Sequence, residues 1–171
     1  LQRGPQIVHE RVIGVDTEYG GLWVLAGSPT TPPQPPFSIE RMTFGGSQGP
    51  QLGPFSSRPR MVSTHGKTIW VLEPDQHRIT RLDRAGRVEQ QYGDMNRPTD
   101  LAVDAGSFVV IEAAQTQLSK FALDGHALWR IPRFQSLSWV LPEAGTGGGW
   151  VGASSFDGQK GGECRYTWAG R

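Results

Sequence analysis

The chain has 171 residues and a mass of 18.7 kDa, a length that one hydrophobic core can serve. Its 17 basic and 16 acidic side chains leave a formal charge of +1, which excludes the basic footprint of a nucleic-acid binder. The 23 glycines and 13 prolines exclude long helices, since a helix interior loses about 1 kcal/mol per Gly and about 3 per Pro, and they favour short strands joined by turns.

No apolar run, Phe108–Ile111 included, approaches the roughly 20 residues that span a bilayer as a helix. A single cysteine, Cys164, has no partner for an internal disulfide and none of the companions of a structural zinc site. The sequence opens on Leu1 without an apolar signal core, and with cysteine pairs absent a processed periplasmic or secreted chain is the expected location.

The first predicted unit runs through Ile13–Asp16 and Leu22–Leu25, then Ile39, Met42 and Gly46. Between its second and third strands lies an insertion, residues 27–36, carrying Pro29, Pro32, Pro33, Pro35 and Pro36. Proline at that density cannot join a sheet ladder, so an exposed polyproline-like excursion is expected, suited to lying on a partner's surface.

The second and third units overlay at an offset of 39 residues. Ile69-Trp70-Val71-Leu72-Glu73 falls on Phe108-Val109-Val110-Ile111-Glu112, Ile79 on Leu118, Leu82 on Phe121, and Gly86 on Gly125. Each unit reads as short strands: Met61–Ser63 or Leu101–Asp104, the apolar run, Arg78–Leu82 or Gln117–Phe121, and Arg87–Tyr92 or His126–Ile131. A fourth, less regular unit comprises Ser138–Leu141, Trp150-Val151 and Arg165–Arg171. About four units of ~40 residues, each with about four strands, indicate an all-β chain of β-propeller blades in a single domain spanning residues 1–171. A β-sandwich explains the short strands but not the recurrence.

The order Pro98-Thr99-Asp100-Leu101-Ala102-Val103-Asp104, Phe108–Glu112, Gln117–Phe121 and Asp124-Gly125 resembles an NHL-type repeat. It is also similar to the blades of virginiamycin B lyase-like propellers, and Pro59–Gly86 follows the same order. The likeness covers residues 58–131 best and speaks for fold more than for activity. Rings of that family are usually larger than four blades. Two arrangements follow: a small closed ring in which Gln6–Glu10 supplies the outer strand missing after Arg171, or a partial propeller completed by another polypeptide. The second is preferred, because Val8 runs into Ile13 with almost no loop between them.

Glu73 and Glu112 end equivalent strands and are expected to serve their own turns, since a turn recurs in every blade and a catalytic residue does not. With Asn96 and Asp104 they are the residues a metal would use if the chain were a lyase or lactonase-like enzyme, which the resemblance permits. Asp16 and Asp104 read as turn residues. Asp75-Gln76-His77 and Ala114-Gln115-Thr116 occupy matching rim loops, where partner contacts are expected. His9, His65, His77 and His126 show no metal-ligand spacing, and Cys164 reads as a small core residue. Gly145–Gly149 lacks the lysine and helix of a phosphate loop. It reads as a flexible turn, and Gly158–Gly162 as a second loop linking two strands. Trp23, Trp70 and Trp150 fall in the same or an adjacent register of the second strand and are expected to pack between blades, with Trp129 and Trp139 outside it. The functional expectation is a non-catalytic scaffold without cofactor, bound to a protein partner or to itself.

Overall fold

A computed structural model describes residues 8–16, 18–27, 35–112, 116–132, 134–143, 148–156 and 159–166. Among these, fifteen strands form four antiparallel sheets. The first sheet is β1 (Val8–Asp16), β2 (Gly21–Gly27), β3 (Phe37–Thr43) and β4 (Gln48–Phe55), paired in chain order. The second is β5 (Met61–His65), β6 (Thr68–Glu73), β7 (Arg78–Asp83) and β8 (Val88–Tyr92), with a short 3-10 turn at Pro74–Gln76. The third is β9 (Asp100–Asp104), β10 (Ser107–Glu112), β11 (Gln117–Ala122) and β12 (Ala127–Ile131). The fourth is β13 (Phe134–Glu143), β14 (Gly148–Phe156) and β15 (Gln159–Tyr166).

The 39-residue offset holds for every strand boundary of the second and third sheets. It extends to single hydrogen bonds. The Arg60 amide donates to the Leu72 carbonyl at 2.9 Å, and the Thr99 amide to the Ile111 carbonyl at 2.8 Å. The hairpins before the outer strands repeat too. Gly86 donates to the Asp83 carbonyl at 3.0 Å and Gly125 to the Ala122 carbonyl at 2.9 Å, both with positive φ (82° and 95°). A left-handed residue after a tight turn suits the twist of the flanking strands, and only glycine adopts it without steric cost.

The chain divides into two compact units, Leu1–Gln76 with Thr80–Gln91, and His77–Ile79 with Tyr92–Arg171. The first unit buries Ile13, Trp23, Leu25, Phe37, Ile39, Leu52, Phe55, Val62, Ile69, Val71 and Leu82 in one cluster drawn from the first two sheets. Close approach there requires a glycine: a Cβ on Gly14 of β1 would stand 2.3 Å from the Val62 carbonyl oxygen of β5. The second unit buries Ala102, Val109, Ile111, Leu118, Phe134, Leu137, Val140, Val151 and Ala153, with Trp129 and Ile131 packed against them. Asp100 links its two sheets by accepting the Val140 amide at 2.7 Å.

Val8 and His9 pair with Gly27 and Ala26 and so open the first sheet. Two expectations change. Gln159–Gly162 is strand, pairing as far as Ala153↔Gly162, because glycine keeps both ladder groups of its backbone; only residues 157–158 separate β14 from β15. Trp150 is 40% exposed, since the pleat turns Val151 and Ala153 into the core and sends their neighbour to the opposite face. Trp139 lies against Gly152, its cross-strand partner. Gly148 and Gly149 begin β14, while residues 144–147 and 167–171 fall outside the described residues, as does the side chain of Cys164.

Trp70 is 1% exposed, donates its indole N–H to Thr68 Oγ1 at 3.0 Å and lies under the Arg81 guanidinium at 5.7 Å. Trp70→Ala is expected to destabilise the protein by about 3–5 kcal/mol, read from denaturant midpoints. A loss below about 1 kcal/mol would contradict this packing.

Burial lowers the Lys120 ammonium from 10.5 to about 8, against the attraction of Asp104. The unfolded chain therefore binds this proton more tightly than the folded one. The resulting penalty on folding is complete below pH 8 and disappears as pH rises to 10.5. Stability measured across that interval should rise with pH more steeply in the native protein than in Lys120→Met.

Candidate functional site

The repeated acids at the ends of β6 and β10 are buried, Glu73 at 0% and Glu112 at 1% exposure. Thr80 Oγ1 donates to Glu73 Oε2 at 2.6 Å. Glu112 accepts the Asn96 backbone amide at 2.9 Å and Gln117 Nε2 at 3.3 Å. Both carboxylates thus bond side chains of the next strand, and Glu112 also holds the segment that leads into β9. Asn96 meets Glu112 through its backbone. Asp104 accepts the Ala105 amide at 2.7 Å. Among the described residues no group of three or more His, Cys, Asp or Glu side chains converges as a metal site would require.

The rim loop is partly tied down. Asp75 and Gln76 are exposed, but His77, also exposed, has a positive φ of 52° and accepts the Met95 amide on its carbonyl at 3.0 Å. Its Nδ1 stands 3.0 Å from the Met95 carbonyl oxygen. In the matching loop Thr116 is described, while Ala114 and Gln115 lie outside the described residues. So do Pro29, Pro32 and Pro33. Pro35 and Pro36 are exposed, and Pro36 lines a depression of about 280 Å³ with Phe37, Ser38, Gln51, Leu52, Gly53 and Pro54.

The densest polar constellation lies elsewhere in the first unit, around a residue that reads from sequence as a turn aspartate. Asp16, the last residue of β1, is fully buried. Its Oδ1 accepts the Tyr19 amide at 3.3 Å, the turn role expected of it. Its Oδ2 takes Arg41 Nε at 3.0 Å and Arg84 Nη1 at 2.9 Å, so one carboxylate serves two guanidinium groups. Arg41 comes from β3, directly across the ladder from Trp23 of β2. Arg84 comes from the hairpin after β7.

Further bonds fix both arginines. Arg84 Nη2 donates to Glu18 Oε2 at 3.1 Å and to the Gly66 carbonyl at 2.8 Å, and Glu18 Oε1 accepts the Gly66 amide at 2.7 Å. The Arg84 guanidinium lies 4.4 Å from the centre of the Tyr19 ring, and Arg41 Nη2 donates to the Tyr19 carbonyl. Together Asp16, Tyr19, Trp23, Arg41, Pro50 and Arg84 line a cavity of about 200 Å³. Two donors on these side chains, Trp23 Nε1 and Arg84 Nε, are shut from solvent and have no protein acceptor.

Two members of this site recur along the chain, Asp16 as Asp104 and Arg41 as Arg81 and Lys120. Arg84 does the opposite: 39 positions on stands Leu123. Such breaks are common, Asp75 falling on Ala114, Asp83 on Ala122 and Glu89 on Leu128, so the offset alone does not single Arg84 out.

No protein-family model matches the chain, and no curated protein sequence matches it. Solved structures do resemble it. BBS1N in complex with ARL6DN aligns with a TM-score of 0.62 at 14% identity, over 90% of this chain and 51% of that one. A luciferin-regenerating enzyme aligns with a TM-score of 0.63 at 12% identity, over 90% and 59%. BamB from Moraxella catarrhalis aligns with a TM-score of 0.60 at 16% identity, over 93% and 47%. All three are propeller folds, and the chain spans about half the length of each. The shared fold is therefore that of β-propeller blades.

Asp16→Asn keeps the shape but leaves two arginines without their common counter-charge. Since both guanidinium groups keep some solvent, the expected loss is about 2–3 kcal/mol, below that of a wholly buried pair. Urea denaturation checks it, and an unchanged midpoint would mean that the ion pairs carry no net stability.

Proposed function

We propose that the chain is a non-catalytic β-propeller module, built of NHL-type blades, that binds a protein partner within a larger assembly. The observation that carries this reading is the engagement of the repeated acids. Glu73 bonds Thr80, and Glu112 bonds Asn96 and Gln117, so the carboxylates that a metal-dependent propeller enzyme would use hold together their own blades. The BBS1 propeller seen with ARL6DN gives the reading a precedent in the same fold, and the luciferin-regenerating enzyme gives the rival reading one.

The surface proposed for association includes the proline-rich insertion. The β2–β3 ladder closes at Ala26↔Ser38 on one side of it, so removing residues 29–36 leaves a short hairpin connection in place of the excursion. That deletion should weaken capture of the partner by the immobilised protein while leaving thermal unfolding close to the native profile. Glu73→Gln and Glu112→Gln should leave capture intact, and titration calorimetry with calcium should detect no stoichiometric uptake. Micromolar calcium binding that either Gln substitution abolishes, with capture unaffected by the deletion, would replace this reading by a metal-dependent enzyme.

A further inference from the structure

We propose that the fourth sheet of one copy of this chain packs on the first sheet of a second copy, through the apolar face that each leaves exposed. On the fourth sheet Val151 and Ala153 turn into the core of their own unit. The opposite face carries Leu141 paired across the ladder with Trp150, and Trp139 paired with Gly152. On the first sheet Trp23 and Leu25 turn into the core. The opposite face carries Val12 paired with Val24, and Val15 paired with Leu22. Val24 is already buried, but Val12, Val15 and Leu141 keep half or more of their surface in solvent, and Trp150 keeps 40%. Single exposed apolar residues are ordinary; cross-strand pairs of them on one sheet face form a patch that calls for cover.

The occupant follows from how the chain covers such a face within its first unit. There Trp23 and Leu25, from the second strand of one sheet, lie among branched side chains of the next: Val62 from its first strand, Ile69 and Val71 from its second. The two exposed faces offer the same halves. Trp150 comes from the second strand of the fourth sheet, with Trp139 and Leu141 beside it as the large partners. Val12 and Val15 come from the first strand of the first sheet and Leu22 from its second, and they supply the branched side. Large side chains interdigitate with smaller branched ones, whereas two copies of the tryptophan face would set large against large. The rows that begin at Val12 and Val15 end on β4 at Gln51 and Gln48, both exposed, so the apolar strip has a polar border, as an interface core has its rim. Two copies together also match in length the propellers the chain resembles, of each of which it spans about half.

The contact is heterologous: made twice between two copies it closes a dimer, and otherwise it extends head to tail. It rests on the binding-module reading and names a second copy as a member of the assembly. The test is sedimentation velocity of the native chain from about 1 to 100 µM, beside Val15→Lys on one face and Leu141→Glu on the other. Both positions are half exposed, and thermal unfolding checks that each variant folds. Val15→Thr and Leu141→Thr stand in where a charged variant does not.

The native chain is expected to self-associate with a Kd of about 1 µM or tighter, and each charged variant to weaken this at least about hundredfold. Mixed in equal amounts, the two variants should form a one-to-one pair, at least about tenfold tighter than either forms alone. The Val15→Lys copy keeps its fourth-sheet face and the Leu141→Glu copy its first-sheet face, so one contact is native and the other joins opposite charges. Faces that packed on their own kind would give no such rescue. A native chain that stays monomeric to about 100 µM overturns the proposal. So does self-association that neither substitution weakens, or a mixture of folded variants that forms no pair. A monomeric chain that still captures a different protein removes the self-contact and leaves the binding-module reading. Self-association together with calcium binding that Glu73→Gln or Glu112→Gln abolishes removes the non-catalytic reading and leaves the contact.

Discussion

All six residues of β10 are buried, and so are five of the six in β6. A strand with side chains buried on both faces cannot belong to a free-standing sheet, because a single sheet leaves at least one face to water. Everything else in each unit follows from supplying the missing cover. In the first unit Ile69 and Val71 of β6 meet Ile13, Trp23 and Leu25 from the neighbouring sheet; in the second, Val109 and Ile111 meet Leu137, Val140 and Val151. Burial falls away toward the outer strands: β8 and β12 are mostly exposed, which is tolerable because their partners on the inner side are already covered.

Stacking sheets this closely forces polar groups inside, and the chain handles them in two ways. Where the requirement recurs, the solution recurs: an acid at the end of the second strand reaches a hydroxyl or amide on the third, as Glu73 does with Thr80 and Glu112 with Gln117. Where the first two sheets adjoin, a local solution appears, with Asp16 shared between Arg41 and Arg84. The first kind behaves as architecture. The second leaves two buried donors, Trp23 Nε1 and Arg84 Nε, without protein acceptors.

Much of this was legible in the residues, for definable reasons. The runs Ile69–Leu72 and Phe108–Ile111 announce buried strands because continuous apolar character has no other outlet between turn signals, and Gly86 and Gly125 mark the hairpins because their left-handed backbone admits little else. Trp150 was misplaced because its match to Trp70 ignored the two-residue period: Val151 and Ala153 face the core, and a single step reverses the face. Gly158–Gly162 resembled a loop by composition, although a glycine backbone completes a ladder when a neighbour such as Ala153 is in register. Asp16 was only half legible. Its turn bond is local, whereas its arginine partners stand 25 and 68 residues away and are brought to it by sheet packing.

The three blades with four described strands differ mainly in one connection. Between the second and third strands the second and third blades use residues 74–77 and 113–116, while the first uses residues 28–36 without losing the pairing of Ala26 with Ser38 or Gly21 with Thr43. Closing a longer loop on an intact ladder adds little entropy, growing only with the logarithm of its length. That junction is consequently a natural port for grafted segments. Foreign peptides or affinity epitopes placed there, and at the equivalent junctions after Glu73 and Glu112, would be displayed at a common position in each blade, making the chain a modular display framework.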